Sequence, residues 1–265
     1  MKKLAIQLIL IIYALFFAPT VHAKEVISWC AFFNWNPWIY PYNNSYDGIL
    51  IEELNVFKKN AGVDTKVHKN LNWKRCQQQV LDGKVDFILG GNRTPEREKV
   101  FSFVDEPAAI NNSVMGMYTL SDGNIPHSVN RLEDLKGYRF VTIKGTTWGK
   151  VIDNHIHSLE KSKIEYVNSE AQIIRKILTK RGDYFVSSES ILNTIVNNNQ
   201  ESIPELTRSK FRQVVEIKRS IPIYVFFKKD SEQFLKLNKL FEESFKQYHS
   251  STDVQSRIEF HKQRN

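Results

Sequence analysis

The chain has 265 residues, 42% hydrophobic and 25% charged, a globular composition that supports a sizeable core or two moderate lobes. Its formal charge of +8 is spread over short basic pieces such as "KVHKN" and "IKRS", interleaved with acids and apolar residues. Nucleic-acid binding wants a clustered basic stripe with stacking aromatics, so no such partner is expected; the charge suits a solvated exterior or an anionic solute.

The first 23 residues, "MKKLAIQLILIIYALFFAPTVHA", read as an export signal. Lys2 and Lys3 form a basic start, an apolar stretch follows, and Val21 and Ala23 make an A-x-A-like cleavage site before Lys24. Pro19 and His22 interrupt the apolar run, which favours cleavage over a retained anchor. Cleavage removes Lys2 and Lys3 and lowers the charge from +8 to +6. No Cys sits near the site to carry a lipid, and no later stretch approaches the roughly 20 apolar residues of a membrane span. The expectation is an exported, soluble, periplasmic protein. Cys30 and Cys76 are the only cysteines. In an oxidising compartment they fit one disulfide or two separate buried thiols. With no nearby His they do not make a zinc site, and no metal or cofactor is expected.

"EVISWCAFF" is a strand of aromatic and β-branched residues, followed by the turn-rich "NWNPWIYPYNNSYDG". "ILIEELNVFKKNAG" has helical spacing and a stop at Gly62; "VDTKVHKNL" is a second strand. "NWKRCQQQVLDGK" is a helix that Asn72 can cap and Gly83 can end. "VDFILGG" is continuously apolar, like a strand buried on both faces. This is the βαβ alternation of an open α/β sheet. A second block follows "SVMGMYTLSDGNIP": a short helix, the strand "YRFVTI", a Gly-Thr-Thr turn and a further helix. "KIEYVN", "SEAQIIRKILTKRGD" and "YFVSSESILNTIV" then repeat the strand–helix–strand plan. "SIPIYVFFKKD" is a last strand before an amphipathic helical C-terminus. With no flexible linker between the blocks, two lobes joined by short strand-like crossovers are expected.

"WNPW", "DGILIEEL", "NWKRCQQQVLDGKVDFILGGNRTPEREKVFSF" and "LEDLKGYRFVTIKGTTWG" resemble, in that order, the bacterial extracellular solute-binding proteins of the polar-amino-acid type (family 3). The resemblance runs from about Val26 to about Phe227. It implies an α/β, two-lobed periplasmic-binding-protein fold. Each lobe is an open, mostly parallel sheet flanked by helices, and two hinge strands join lobe 1 (24–114 plus 222–265) to lobe 2 (115–221). It further implies a monomer that closes over a small carboxylate-bearing solute and delivers it to an ABC importer. A sensor or chemoreceptor as listener is the alternative.

Carried over by position, Arg97 in "TPER" matches the arginine that grips a ligand carboxylate, for which its planar fork is suited. Asn92 matches a second carboxylate contact, and Gly90 a backbone carbonyl that takes the ligand amine. Trp35 and Trp73 match the aromatic pair that sandwiches the ligand, and Thr146 and Thr147 the donor turn of the second lobe. Two Trp in the sandwich suggest a flat, ring-bearing or otherwise hydrophobic body. Family members that bind amino acids carry an acid for the α-ammonium on the strand after Asp183; here that place is Ser188. Neighbouring strand residues face opposite ways, so Glu189 is not taken as its substitute, and support for an amine is withheld. In this fold Cys30 and Cys76 share a sheet edge, which implies that they pair.

Arg75 and Arg93 are expected at the surface or in salt bridges, and Trp29, Trp38 and Trp148 in packing. "KGTTWG" lacks the spaced Gly-Lys-Ser/Thr of a phosphate loop. A cyclohexadienyl-dehydratase-like enzyme on the same fold would need Glu189, Asp183 or a cleft His as general acid. The residues supply no Ser-His-Asp constellation, so a binding protein rather than an enzyme is expected.

Overall fold

The computed structural model describes residues 24–69 and 71–264, and the export-signal reading of 1–23 lies outside the described residues. The first half contains β1 (Val26–Cys30), the small hairpin β2 (Tyr40–Tyr42) and β3 (Ser45–Asp47), and α1 (Ile49–Ala61). Then come β4 (Asp64–Val67), α2 (Trp73–Leu81), β5 (Phe87–Gly91), the single turn α3 (Pro95–Glu98), β6 (Phe101–Phe103) and the long β7 (Ala109–Leu120). The second half contains β8 (Phe140–Ile143), α4 (Lys150–Ser158), β9 (Ile164–Val167), α5 (Glu170–Leu178), β10 (Tyr184–Ser187) and α6 (Glu189–Asn199). It ends with the long β11 (Phe211–Lys228), α7 (Glu232–Ser251) and α8 (Val254–Gln263).

Apart from the separate β2–β3 hairpin, the strands form one sheet in the order β4-β1-β5-β11-β7-β10-β8-β9, with β6 added on β11. β4, β1 and β5 are parallel, as are β10, β8 and β9, so each lobe has the crossover plan read from the sequence. Between them β11 and β7 run antiparallel from Phe211↔Leu120 to Ile223↔Ala109. β11 continues past that ladder to pair with β5 and β6. These two strands cross from lobe to lobe. Their crossing stretch is the least buried part of either, and Pro222, which has no N–H to give, pairs with Ile110 there.

Both faces of each lobe's sheet are covered, and the side-chain alternation of a strand sorts residues between them. In lobe 1, Phe87, Leu89, Val225 and Phe227 face α1 and α7, where Phe57 stacks on Phe241 with centroids 3.6 Å apart. Ile88 and Phe226 face the other way, onto α2 and the joined pair Cys30–Cys76. In lobe 2, Val141 and Phe185 pack on α5 and α6, whereas Phe140 and Tyr184 pack on α4. No helix among the described residues is long and apolar enough to cross a membrane.

Three sequence expectations need correction. "YFVSSESILNTIV" is not one strand: β10 stops at Ser187, Ser188 Oγ accepts the Ile191 N–H at 3.3 Å, and α6 begins. Leu192, Ile195 and Val196 are buried at helical spacing, which explains the switch. The last strand starts at Phe211, well before "SIPIYVFFKKD", because β7 supplies a partner for its polar first half. The C-terminal helix breaks at Thr252, and Asp253 caps a second helix by accepting the Ser256 N–H.

Candidate functional site

The buried strand β5 delivers the chain to the cleft between the lobes through Gly90 and Gly91. Gly90 has φ +92°, and a Cβ on it would stand 2.5 Å from Leu50 Cδ1 and 3.6 Å from Trp35 Cζ3, so only glycine fits. Thr94 then caps α3 by accepting the Arg97 N–H at 3.3 Å, with Pro95 in the first turn. That turn points Arg97 inward, where it is 7% exposed.

The Arg97 guanidinium donates from Nη1 to the Asn92 carbonyl at 2.7 Å and from Nη2 to the Gly145 carbonyl at 3.0 Å. It lies 5.3 Å from the Trp73 ring centroid and 5.9 Å from that of Phe226. Burial pulls its pKa down to about 10, opposed by the charge of Asp153. Both hydrogen bonds go to neutral carbonyls, so the cation is sealed in without a bonded carboxylate among the described residues.

The turn after β8 closes the site from lobe 2. Asn92 Nδ2 donates to the Thr147 carbonyl (2.9 Å) and to Thr147 Oγ1 (3.1 Å), and Trp73 Nε1 donates to the Gly145 carbonyl (2.9 Å). Trp73 is positioned by Asn72, whose side chain accepts the Arg75 N–H and starts α2. Asp153 fixes the far end of the turn by accepting the N–H groups of Trp148 (2.8 Å) and Gly149 (3.1 Å). Thr146 Oγ1 is buried without a hydrogen-bond partner.

Trp35, Trp73, Gly90, Asn92, Arg97, Thr146 and Thr147 together line one cavity of about 70 Å³. The rest of its wall is mostly apolar, with Phe32, Ile143, Ile173 and Phe185. Ser188 is not with them. It opens on an adjoining groove beside Ser190 and Ile258, and its hydroxyl caps α6. Because β10 has already ended, strand alternation does not govern Glu189. That carboxylate is held by Arg208 (2.7 and 2.6 Å) and by the Tyr118 hydroxyl (3.1 Å), and the Arg208 bonds keep its pKa low. Asp183 accepts from the Arg139 backbone N–H (2.7 Å) and guanidinium (3.1 and 2.9 Å) within lobe 2. His155 is buried against the Tyr184 hydroxyl. None of these three lines the cavity that holds Arg97.

Three cavity residues escaped the sequence reading. Trp148, expected in packing, lines the cavity while its indole N–H donates to Thr142 Oγ1 at 3.0 Å. Arg219 lies on the half of β11 that precedes the expected strand "SIPIYVFFKKD"; it donates to Ser113 Oγ and the Trp148 carbonyl, both at 2.9 Å, and burial lowers its pKa to about 10. Glu170 sits in "NSEAQ", which reads as an ordinary helix start. Only the partners brought from lobe 1 mark it out.

Arg75 shows an exposed side chain and Arg93 pairs with Glu98 and Asp105, as expected. No curated protein matches the sequence. Among solved structures, an ancestral arginine-binding protein bound to arginine is similar with a TM-score of 0.68 at 16% identity, covering 91% of this chain and 97% of that one. The amino acid ABC transporter substrate-binding protein AbpA from Streptococcus pneumoniae, bound to L-arginine, gives 0.67 at 16% identity, covering 90% and 95%. A histidine kinase sensor domain with similarity to periplasmic binding proteins gives 0.67 at 14%, covering 90% and 94%. At these identities the likeness is one of fold. The family model for bacterial extracellular solute-binding proteins, family 3, matches residues 29–251. With that match spanning both lobes and the cleft, the chain belongs to the bacterial extracellular solute-binding proteins, family 3.

Proposed function

We propose that this protein captures a small carboxylate-bearing solute in the periplasm by closing its lobes over it, and delivers the solute to an ABC importer. The observation that carries the reading is Arg97: a guanidinium buried at the seam of the lobes, bonded to two carbonyls and, among the described residues, to no carboxylate. A buried cation is stabilised by an anionic partner with matching geometry, and a carboxylate accepts from an Arg fork. Trp35 and Trp73 flank the solute, Asn92, Thr146 and Thr147 supply further polar contacts, and Gly90 offers its carbonyl. Ser188, on the adjoining groove, is left out of this set.

In this reading the leader is cleaved after Ala23, the mature chain is a monomer, and the lobes are 24–114 with 222–265, and 115–221. Closure follows from mass action, since only the closed form touches the solute from both sides. The arginine-bound neighbours favour including amino acids among the first solutes to try. The sensor-domain neighbour supports a second listener, a membrane sensor in place of an importer, which shares the binding step.

The test is a thermal-shift screen of residues 24–265 against amino acids, other carboxylates and aromatic metabolites. A solute at 100 times its Kd adds about 2.7 kcal/mol of stability. The hit is expected to vanish in Arg97→Ala; an equal shift in that variant would remove the proposed pocket. Pull-down of membrane partners with and without the hit then separates importer from sensor.

A further inference from the structure

Two guanidiniums line the cavity, and the second belongs to Arg219. This residue lies on the hinge strand β11, opposite Ser113 of β7. Its Nε donates to Ser113 Oγ and its Nη1 to the Trp148 carbonyl, both at 2.9 Å. Among the described residues its Nη2 has no bonded partner, and no carboxylate bonds any of its nitrogens. Burial lowers its pKa to about 10, as it does for Arg97. The cavity thus holds two cations, one from lobe 1 and one from the hinge, each bonded only to neutral oxygens.

A buried charge is costly unless it is paired, and the acids nearby are engaged elsewhere. The charge of Asp153 acts on both guanidiniums, but its carboxylate accepts the Trp148 and Gly149 N–H groups and does not line the cavity. Glu189 is held by Arg208 and Tyr118. Glu170 does line the cavity, and it extends with Phe32 and Asn34 into an outer pocket in which neither arginine has a share. Burial pushes its pKa up to about 7, so it protonates readily beside an anion.

Arg219 also lines the adjoining groove of about 500 Å³, together with Ser188. Where the resemblance calls for an acid that meets an ammonium, this groove offers Ser188, with Arg219 and Lys262 as its cations. A cation in that place repels an ammonium and attracts a second anion. A residue serving only as a strut from Ser113 to the Trp148 carbonyl needs two donors, and a buried charge adds nothing to that task.

We propose that Arg219 receives a second anionic group of the solute, so that the site takes a dicarboxylate without an ammonium in preference to an amino acid. This rests on the carboxylate reading above and specifies it.

The experiment compares solutes on one carbon skeleton. Glutarate is set against butanoate, which lacks one carboxylate, and against L-glutamate, which adds an ammonium. Succinate with propanoate and L-aspartate, and adipate with pentanoate and L-2-aminoadipate, form two further sets. Binding to residues 24–265 is measured by calorimetry for the parent, Arg219→Gln, Arg219→Lys and Arg97→Ala, with thermal midpoints as the folding control. In at least one set the parent is expected to bind the dicarboxylate about tenfold or more tightly than the monocarboxylate, and at least as tightly as the amino dicarboxylate. Arg219→Gln is expected to shrink the first preference to within about threefold while still binding the monocarboxylate. Arg219→Lys is expected to keep most of it, because the charge stays although the fork is lost. Arg97→Ala loses every member of the set. A parent without the preference for two carboxylates, a parent that binds the amino dicarboxylate about tenfold more tightly in every set, a preference that survives Arg219→Gln, or an equal loss in the Lys and Gln variants overturns the role of Arg219 and leaves Arg97 standing. A parent that binds no carboxylate of any kind overturns both readings.

Discussion

Breaking the Cys30–Cys76 bond is expected to cost about 4 kcal/mol of stability, because the link closes a loop of 46 residues in the unfolded chain. In the folded chain both sulfurs are fully buried among Val80, Ile88, Phe101 and Phe226, an apolar setting that two thiols also tolerate. The loss therefore comes mainly from the unfolded state, which gains freedom when the loop opens. Urea unfolding of residues 24–265, with and without a strong thiol reductant, measures it. The midpoint should fall, and the slope of free energy against urea should rise as the unfolded chain expands. Because neither sulfur is exposed, reductant added without urea should leave the bond intact over a time in which unfolded protein is fully reduced. A change under about 1 kcal/mol with an unaltered slope would refute the loop argument. Trp73 opens the helix that carries Cys76, so the reduced protein should also bind its solute less tightly.

Gly90→Ala is expected to destabilise the fold by about 1–3 kcal/mol, since its Cβ meets Leu50 Cδ1 at 2.5 Å with φ at +92°; thermal unfolding within 0.5 kcal/mol of the parent, on the scale of ordinary surface changes, would contradict that. The pair of buried Glu53 and half-buried His249, joined at 3.0 Å, predicts stability that falls as pH rises from about 6.5 to about 8. Burial raises the Glu53 pKa and the bond to Glu53 raises that of His249, so the folded pair holds a proton that an unfolded His releases; Glu53→Gln should flatten the slope in urea midpoints at pH 6, 7 and 8, and a flat parent would sink the reasoning. Asp183→Asn should cost about 2 kcal/mol at pH 7, the scale of a hydrogen bond to a charged group. Burial pushes the Asp183 pKa up, but the Arg139 guanidinium and N–H outweigh it, so the net shift is down; the contribution is present above about 3.8 and lost as pH falls through the folded pKa. Chemical unfolding at pH 7 and pH 3 should show the deficit shrinking at the lower value.

What could be read from the sequence was what local chemistry dictates. "VDFILGG" had to be a strand covered on both faces, because every residue from Phe87 to Gly91 is apolar or Gly, and all five are buried. The first half of β11, "FRQVVEIKR", carries four charges and gave no comparable signal; it is a strand because β7, some hundred positions earlier, pairs with it. Hinge strands are exposed to this ambiguity wherever they leave the cores they connect.

The site follows the same division. Asn72, Ser169 and Ser188 each accept an N–H three residues on and start a helix, so Trp73, Glu170 and Glu189 all become first helical residues. Local sequence can place these three at the rims of their lobes and can go no further. Their fates are decided by the partners that the fold brings up. Arg208 and Tyr118 engage Glu189, which removes it from consideration as the missing acid. The Gly145 carbonyl takes the indole N–H of Trp73 and turns its ring toward Arg97. Among the described residues, Glu170 Oε2 accepts from Asn34, 136 positions away, at 3.5 Å, and Oε1 is buried without a hydrogen-bond partner. Which of these acids is paired is therefore decided by partners distant in sequence, a property that no single stretch of sequence contains.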